Sequence, residues 1–240
     1  MIYRLLIIVV LAFSLGSCYY LQPLHNPVES IRYFPEGQDN ATNKTQRKLM
    51  ILLPGLGDKV TAFDTHGFTK TLHNKYPEFD AIALNAHFKY YKNHVIANRI
   101  HEDIVLPAKR AGYQEIYIAG NSLGGLGALL YLKNYPNYVH SILPIAPYLG
   151  EKKEYQYLLD NSERREGDFI LDLWPWITSL SNEQKRKIHL AYGLNDKFAQ
   201  PNALLSRYIH PQQTFTIQGK HRWTTWKQLW PTLLDSALAE

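Results

Sequence analysis

The sequence predicts an α/β fold, a mostly parallel sheet of about six to eight strands covered by helices on both faces. Three observations predict it. Six short apolar runs recur along the chain, most of them bounded by turn residues. Stretches with helical spacing separate them in regular alternation. The runs are apolar on both faces, as strands buried between two helical layers must be. The chain has 240 residues, 45% hydrophobic and 20% charged, with 14 Gly and 13 Pro. That balance suits one domain with a small insertion and excludes a disordered or collagen-like chain.

Residues 1–17 read as a leader to be set aside from the fold. Arg4 precedes nine consecutive apolar residues, 5–13, too few to span a bilayer, and small Gly16 and Ser17 follow. Leu15-Gly16-Ser17-Cys18 resembles the lipobox of bacterial lipoproteins. The resemblance implies cleavage before Cys18, acylation of that residue, and a membrane-anchored protein of the bacterial cell envelope. Tyr19, rather than Asp, after the cysteine implies the outer membrane. The plainer alternative is an anchor helix or an ordinary cleaved signal. Several acyl chains hold far more firmly than one, because each buried methylene contributes about 0.8 kcal/mol. Cys18 is the single cysteine, which excludes an internal disulfide and a cysteine-based zinc cluster. Residues 18–47, with Pro23, Pro27 and Pro35, read as a tether.

The body, 48–240, follows in order. Strands are expected at 48–53, 79–85, 115–119, 141–146, 188–192 and 214–218, and helices at 62–76, 94–111, 122–135, 202–209 and 223–239. Only 149–187 breaks the rhythm, with charged stretches around apolar 169–176. A connection of that length more often covers a site, so a lid-like helical insert is expected there. The net charge of +5 comes from Lys and Arg interleaved with Asp and Glu. Without basic blocks, a nucleic-acid groove is a poor reading.

One motif carries chemistry. Gly120-Asn121-Ser122-Leu123-Gly124 follows an expected strand and opens an expected helix, which is the context a Gly-x-Ser-x-Gly elbow requires. A serine on so sharp a turn takes a strained backbone, and side chains on its flanks would collide. The helix start also offers backbone N–H groups to an oxyanion beside Ser122. The bland alternative is a glycine-rich turn with a capping serine. Two partners are then expected downstream, an acid and afterwards a histidine. Asp196 follows the next-to-last strand and His221 the last, both at the strand ends where such sheets place their chemistry. Asp196 could instead form an Asx turn or cap, and His221 could be one of several surface histidines.

From about residue 48 to its end the chain resembles an α/β-hydrolase of the serine-esterase type, with an α/β-hydrolase sandwich and a small helical insert. The tail His221-Arg222-Trp223-Thr224-Thr225-Trp226 is similar to that of the putative-esterase group, which includes esterase D-like enzymes. By that resemblance Ser122 is the nucleophile, His221 the general base and acid, and Asp196 the residue that orients His221. The oxyanion donors would be the N–H of Leu123 and that of Leu56, with Gly57 the next choice. Here the sequence departs from the lipase pattern: Pro54-Gly55-Leu56-Gly57 stands where His-Gly-x-Gly is common. The chemistry implied is two-step acyl transfer on a small-molecule or lipid ester, needing no cofactor and no metal. An acyltransferase with the same acyl-enzyme, and a catalytically silent binding domain on this fold, are the rival functions.

Other candidates have simpler readings. His94 and His101 are seven apart, on one face of the expected helix, with His87 nearby, but a metal site would need further ligands and supporting partners. Asp58, Asp64 and His66 could border the pocket, or Asp64 could cap a helix. Glu166, Asp168 and Asp172 fall in the irregular segment rather than after a strand. Trp174 and Trp176 could wall the acyl site or form the core of the insert.

Overall fold

A computed structural model describes residues 22–38, 47–164 and 173–238. The leader, Cys18, Glu166, Asp168 and Asp172 lie outside the described residues.

Seven strands form one sheet: β1 (Ser30–Tyr33), β2 (Lys48–Leu53), β3 (Phe79–Leu84), β4 (Ile116–Asn121), β5 (Ser141–Ile145), β6 (Leu190–Gly193) and β7 (Thr214–Ile217). Their order is β1-β3-β2-β4-β5-β6-β7. All neighbours are parallel except β1, which runs antiparallel to β3 with Ile31 opposite Ala83. Every residue of β3, β4 and β5 is buried, so hydrophobic runs rather than alternation mark these strands.

β1 corrects the expected tether: 30–33 belong to the sheet. Their side chains are mostly exposed, with one half-buried, so an edge strand of this kind leaves no apolar run to read. Val28 beside it is buried, and its N–H donates to Asp103 Oδ2 at 2.9 Å.

The expected helix 62–76 is two, Ala62–Thr65 and Phe68–Lys75, because Gly67 between them takes φ +80. The expected helix 94–111 starts later, at Ile96, and contains a wide π turn at His101–Val105. Pro107 explains the turn: it has no N–H to give one turn back and its ring needs room there. Leu123–Asn134 packs with Ile96–Ile100 and against β2, β4 and β5. Trp223–Leu238 packs with Phe68–Lys75 and against β5, β6 and β7. The insert contributes Lys152–Asp160, Leu173–Thr178 and Asn182–Arg186.

Chain order places the site. After β2 the chain turns to β3 on one side, then returns past β2 to β4 on the other. The loops leaving β2 and β4 therefore diverge and open a crevice at the carboxyl ends of the strands.

Candidate active site

Ser122 sits between β4 and the helix Leu123–Asn134 with φ 53 and ψ −114. Left-handed φ costs a non-glycine residue about 1–3 kcal/mol and persists only when its surroundings enforce it. Here its N–H donates to the Ile145 carbonyl at 2.9 Å, and its own carbonyl accepts from Tyr148 N at 3.0 Å. Close packing does the rest. A Cβ on Gly124 would lie 1.8 Å from the Leu53 carbonyl oxygen, and one on Gly120 would lie 2.3 Å from the backbone of Gly124. Only glycine lets the helix start this close to β2.

Asp196 follows β6 in a tight turn, its N–H bonded to the Gly193 carbonyl at 3.0 Å. The Asx turn and the charge partner prove compatible. Asp196 Oδ1 accepts from Phe198 N at 2.8 Å, and both carboxylate oxygens lie 2.8–2.9 Å from His221 Nδ1. The Asp196 side chain is fully buried. His221 follows β7 in a loop tied to the acid loop, where Asn195 N donates to the Gly219 carbonyl at 2.9 Å. His221 Nε2 is 2.9 Å from Ser122 Oγ. A carboxylate only accepts, so Nδ1 carries the proton and Nε2 of the neutral ring accepts from the serine hydroxyl. Ser122, His221 and Asp196 thus form one hydrogen-bonded chain. Phe198 and Trp226 meet the imidazole edge-on, each with ring centroids 4.9 Å away, and fix its plane.

A cavity of about 630 Å³ opens on Ser122 and His221. Its walls are aromatic (Phe88, Tyr148, Phe198, Trp223 and Trp226), with Gly55, Leu56 and Leu123 beside the serine and Lys197 and Arg222 among the lining residues. Burial, then the nearby Glu154 and Glu151, push the Tyr148 phenol above its ordinary value. It remains a hydroxyl donor at neutral pH.

A model of the alpha/beta hydrolase fold matches residues 35–229. The chain belongs to that family. Solved structures agree on the fold. A ferulic acid esterase aligns with TM-score 0.65 at 14% identity, covering 87% of this chain and 91% of its own. The fluorophosphonate-binding serine hydrolase FphF of Staphylococcus aureus aligns at 0.60 and 17%, covering 88% and 92%. S-formylglutathione hydrolase (FrmB) from Staphylococcus aureus aligns at 0.60 and 19%, covering 88% and 98%. No curated protein sequence matches this one.

This α/β-hydrolase brings together Ser122, Asp196 and His221, and sets Leu123 and Leu56 on the cavity wall. Other expectations change. Asp64 caps no helix: it lies inside Ala62–Thr65, whose N-cap is Thr61, and accepts from Thr69 Oγ1. His66 stacks on Trp223 at 4.4 Å. His94 and His101 share no helix face, because His94 sits before the helix at φ 57. His101 stacks on Tyr135 at 3.9 Å, and His87 Nε2 contacts the Pro23 carbonyl at 3.1 Å. Trp174 belongs to the insert's core, buried, with Nε1 donating to the Leu149 carbonyl at 2.9 Å. Neither Trp174 nor Trp176 is among the cavity's described lining residues.

Sequence reasoning missed Asn121, Tyr148 and Phe198. Only Asn121 carried a signal, as the residue before the serine; the other two lie in loops whose course no periodicity reveals.

Proposed function

We propose that this α/β-hydrolase cleaves carboxylic esters through an acyl-enzyme on Ser122. The supporting observation is the continuous hydrogen-bonded chain Asp196–His221–Ser122, facing an open, largely apolar cavity. His221 Nε2 takes the Ser122 proton as Oγ attacks the ester carbonyl. Asp196 holds the Nδ1–H toward itself and stabilises the imidazolium that forms. The oxyanion falls to the N–H of Leu123 and that of Leu56. Leu123 is the first residue of its helix, so its N–H has no carbonyl one turn earlier to bond. His221 then protonates the leaving alcohol, and water, activated by the same ring, releases the acid. The aromatic walls suit an apolar acyl or alcohol group. The segment between Cys18 and β1 would carry this domain on a lipidated Cys18 at the bacterial outer membrane.

A fluorophosphonate should label Ser122, and Ser122→Ala should lose both labelling and short-chain nitrophenyl ester turnover. Labelling that survives the substitution overturns the assignment. For the anchor, Cys18→Ser should leave an uncleaved, unlipidated precursor; continued partition with lipoproteins would refute it.

A further inference from the structure

We infer that Asp58 is a positioning residue of this site, clamping the loop after β2 to the nucleophile elbow and to the histidine loop; the inference rests on the acyl-enzyme reading above. Its carboxylate is where three loops meet. Asp58 Oδ2 accepts from Asn121 Nδ2 at 3.2 Å, and Oδ1 accepts from Trp223 Nε1 at 3.2 Å. Asn121 immediately precedes Ser122, and Trp223 lies two residues after His221. One oxygen therefore serves the serine loop and the other the histidine loop.

Both donors are held by packing. Asn121 is fully buried at the end of β4. Trp223 is packed edge-on against Phe63 and Phe68 at 5.2 and 5.3 Å and stacked on His66. The path between loops is kept clear by Gly55, where a Cβ would lie 2.9 Å from Asn121 Nδ2 and 3.0 Å from Asp58 Oδ2.

The loop so held is the one that borders the serine opposite the helix start. Asp58 N donates to the Gly55 carbonyl at 3.2 Å and closes a turn around Leu56 and Gly57, the latter at φ +84. Among the described residues, neither the Leu56 nor the Gly57 N–H bonds another backbone group. The turn's own hydrogen bond uses only the N–H of Asp58, so a donor remains for substrate. Among the described residues it is this carboxylate that ties the turn to Asn121 and Trp223, and without it the donor drifts from the serine. A misplacement of 1 Å costs on the order of 100-fold in rate.

Asp58 lines the same cavity, so the competing role is direct contact with substrate. The two roles separate kinetically. Asp58→Asn keeps the size but turns one acceptor into a donor that faces a donor. If Asp58 positions the loop, kcat falls about 100-fold while KM stays within about twofold, and the rate of Ser122 phosphonylation falls with kcat. In a Trp223→Phe background the indole donor is gone and the amide oxygen can serve Asn121. There Asp58→Asn should cost several-fold less than in the wild-type background. Trp223→Phe alone, which adds no clashing donor, should lower kcat and the rate of Ser122 phosphonylation together, and serves if Asp58→Asn does not fold. A raised KM at unchanged kcat, unchanged kinetics, or equal losses in both backgrounds each overturn the inference. Wild-type protein that fluorophosphonate does not label at Ser122 sinks the acyl-enzyme reading itself, a result distinct from these.

Discussion

Among the described residues two aspartates are buried, and their partners set them apart. Asp80 on β3 receives Arg47 Nε at 2.7 Å and the Tyr113 hydroxyl. Asp196 after β6 receives a backbone N–H and the His221 ring. Burial and the hydrogen bond to Asp80 push the Tyr113 phenol well above its ordinary value, and an arginine stays charged at any ordinary pH. The protons that Arg47 and Tyr113 donate to Asp80 are therefore both held at neutral pH. The proton network around Asp196 ends in a histidine whose second nitrogen reaches Ser122 and a cavity. The lesson is that burial alone does not make a carboxylate functional. A permanent cation makes a lock; a titratable ring with an open far side makes a relay.

The largest expected effect tests the relay. Asp196→Asn preserves size and the acceptor for Phe198 N, but its amide favours the wrong tautomer of His221. Turnover should fall by roughly 10⁴-fold, with the urea midpoint nearly unchanged. A parallel collapse of stability would make Asp196 a lock as well.

The next effect falls on the lock. Arg47→Met leaves Asp80 buried without its cation and should cost about 3–5 kcal/mol in urea unfolding, with kcat per folded molecule unchanged. Arg47→Met with Asp80→Leu should recover most of that loss, because both desolvated charges disappear together. Lost turnover at full stability would erase the division between the two regions.

The smallest effect sharpens the contrast through a second histidine. His189 is buried, with Nδ1 2.8 Å from Ser236 Oγ and Nε2 3.1 Å from the Gln213 amide nitrogen. That amide also donates to the Arg186 carbonyl, so His189 Nε2 must accept and the ring is held neutral. Burial, reinforced by His140, lowers its pKa from 6.5 to about 4. The unfolded chain takes up this proton at higher pH than the folded one, so stability is flat above pH 6.5. It falls as pH drops toward 4, by roughly 3 kcal/mol for this group. His189→Gln should show a shallower fall over that window in pH-dependent urea titrations. Equal slopes would mean His189 charges freely in the folded state.

How much was legible depended on whether the physics was local. Ser122 was readable because a strained elbow demands small neighbours on both sides, which leaves Gly120 and Gly124 in the sequence. Asp196 and His221 were readable because they follow the last two apolar runs. β1 was invisible, since an exposed edge strand needs no hydrophobic pattern. The break at Gly67 was overlooked because one residue with positive φ leaves the flanking helical spacing intact. Asp64 looked like a cap, but the helix begins three residues earlier than that role required.

The sequence by itself determined the alternation of elements, the elbow, and which residue types stand at the ends of which strands, because backbone sterics and burial act over a few neighbouring residues. Only the tertiary structure decided that Asp58, Asn121 and Trp223 meet, that Phe198 and Trp226 hold the imidazole, and that Trp174 faces the insert's core. All but the Trp226–His221 contact join positions tens to more than a hundred residues apart. They exist only once strand order has brought three loops to the same end of one sheet.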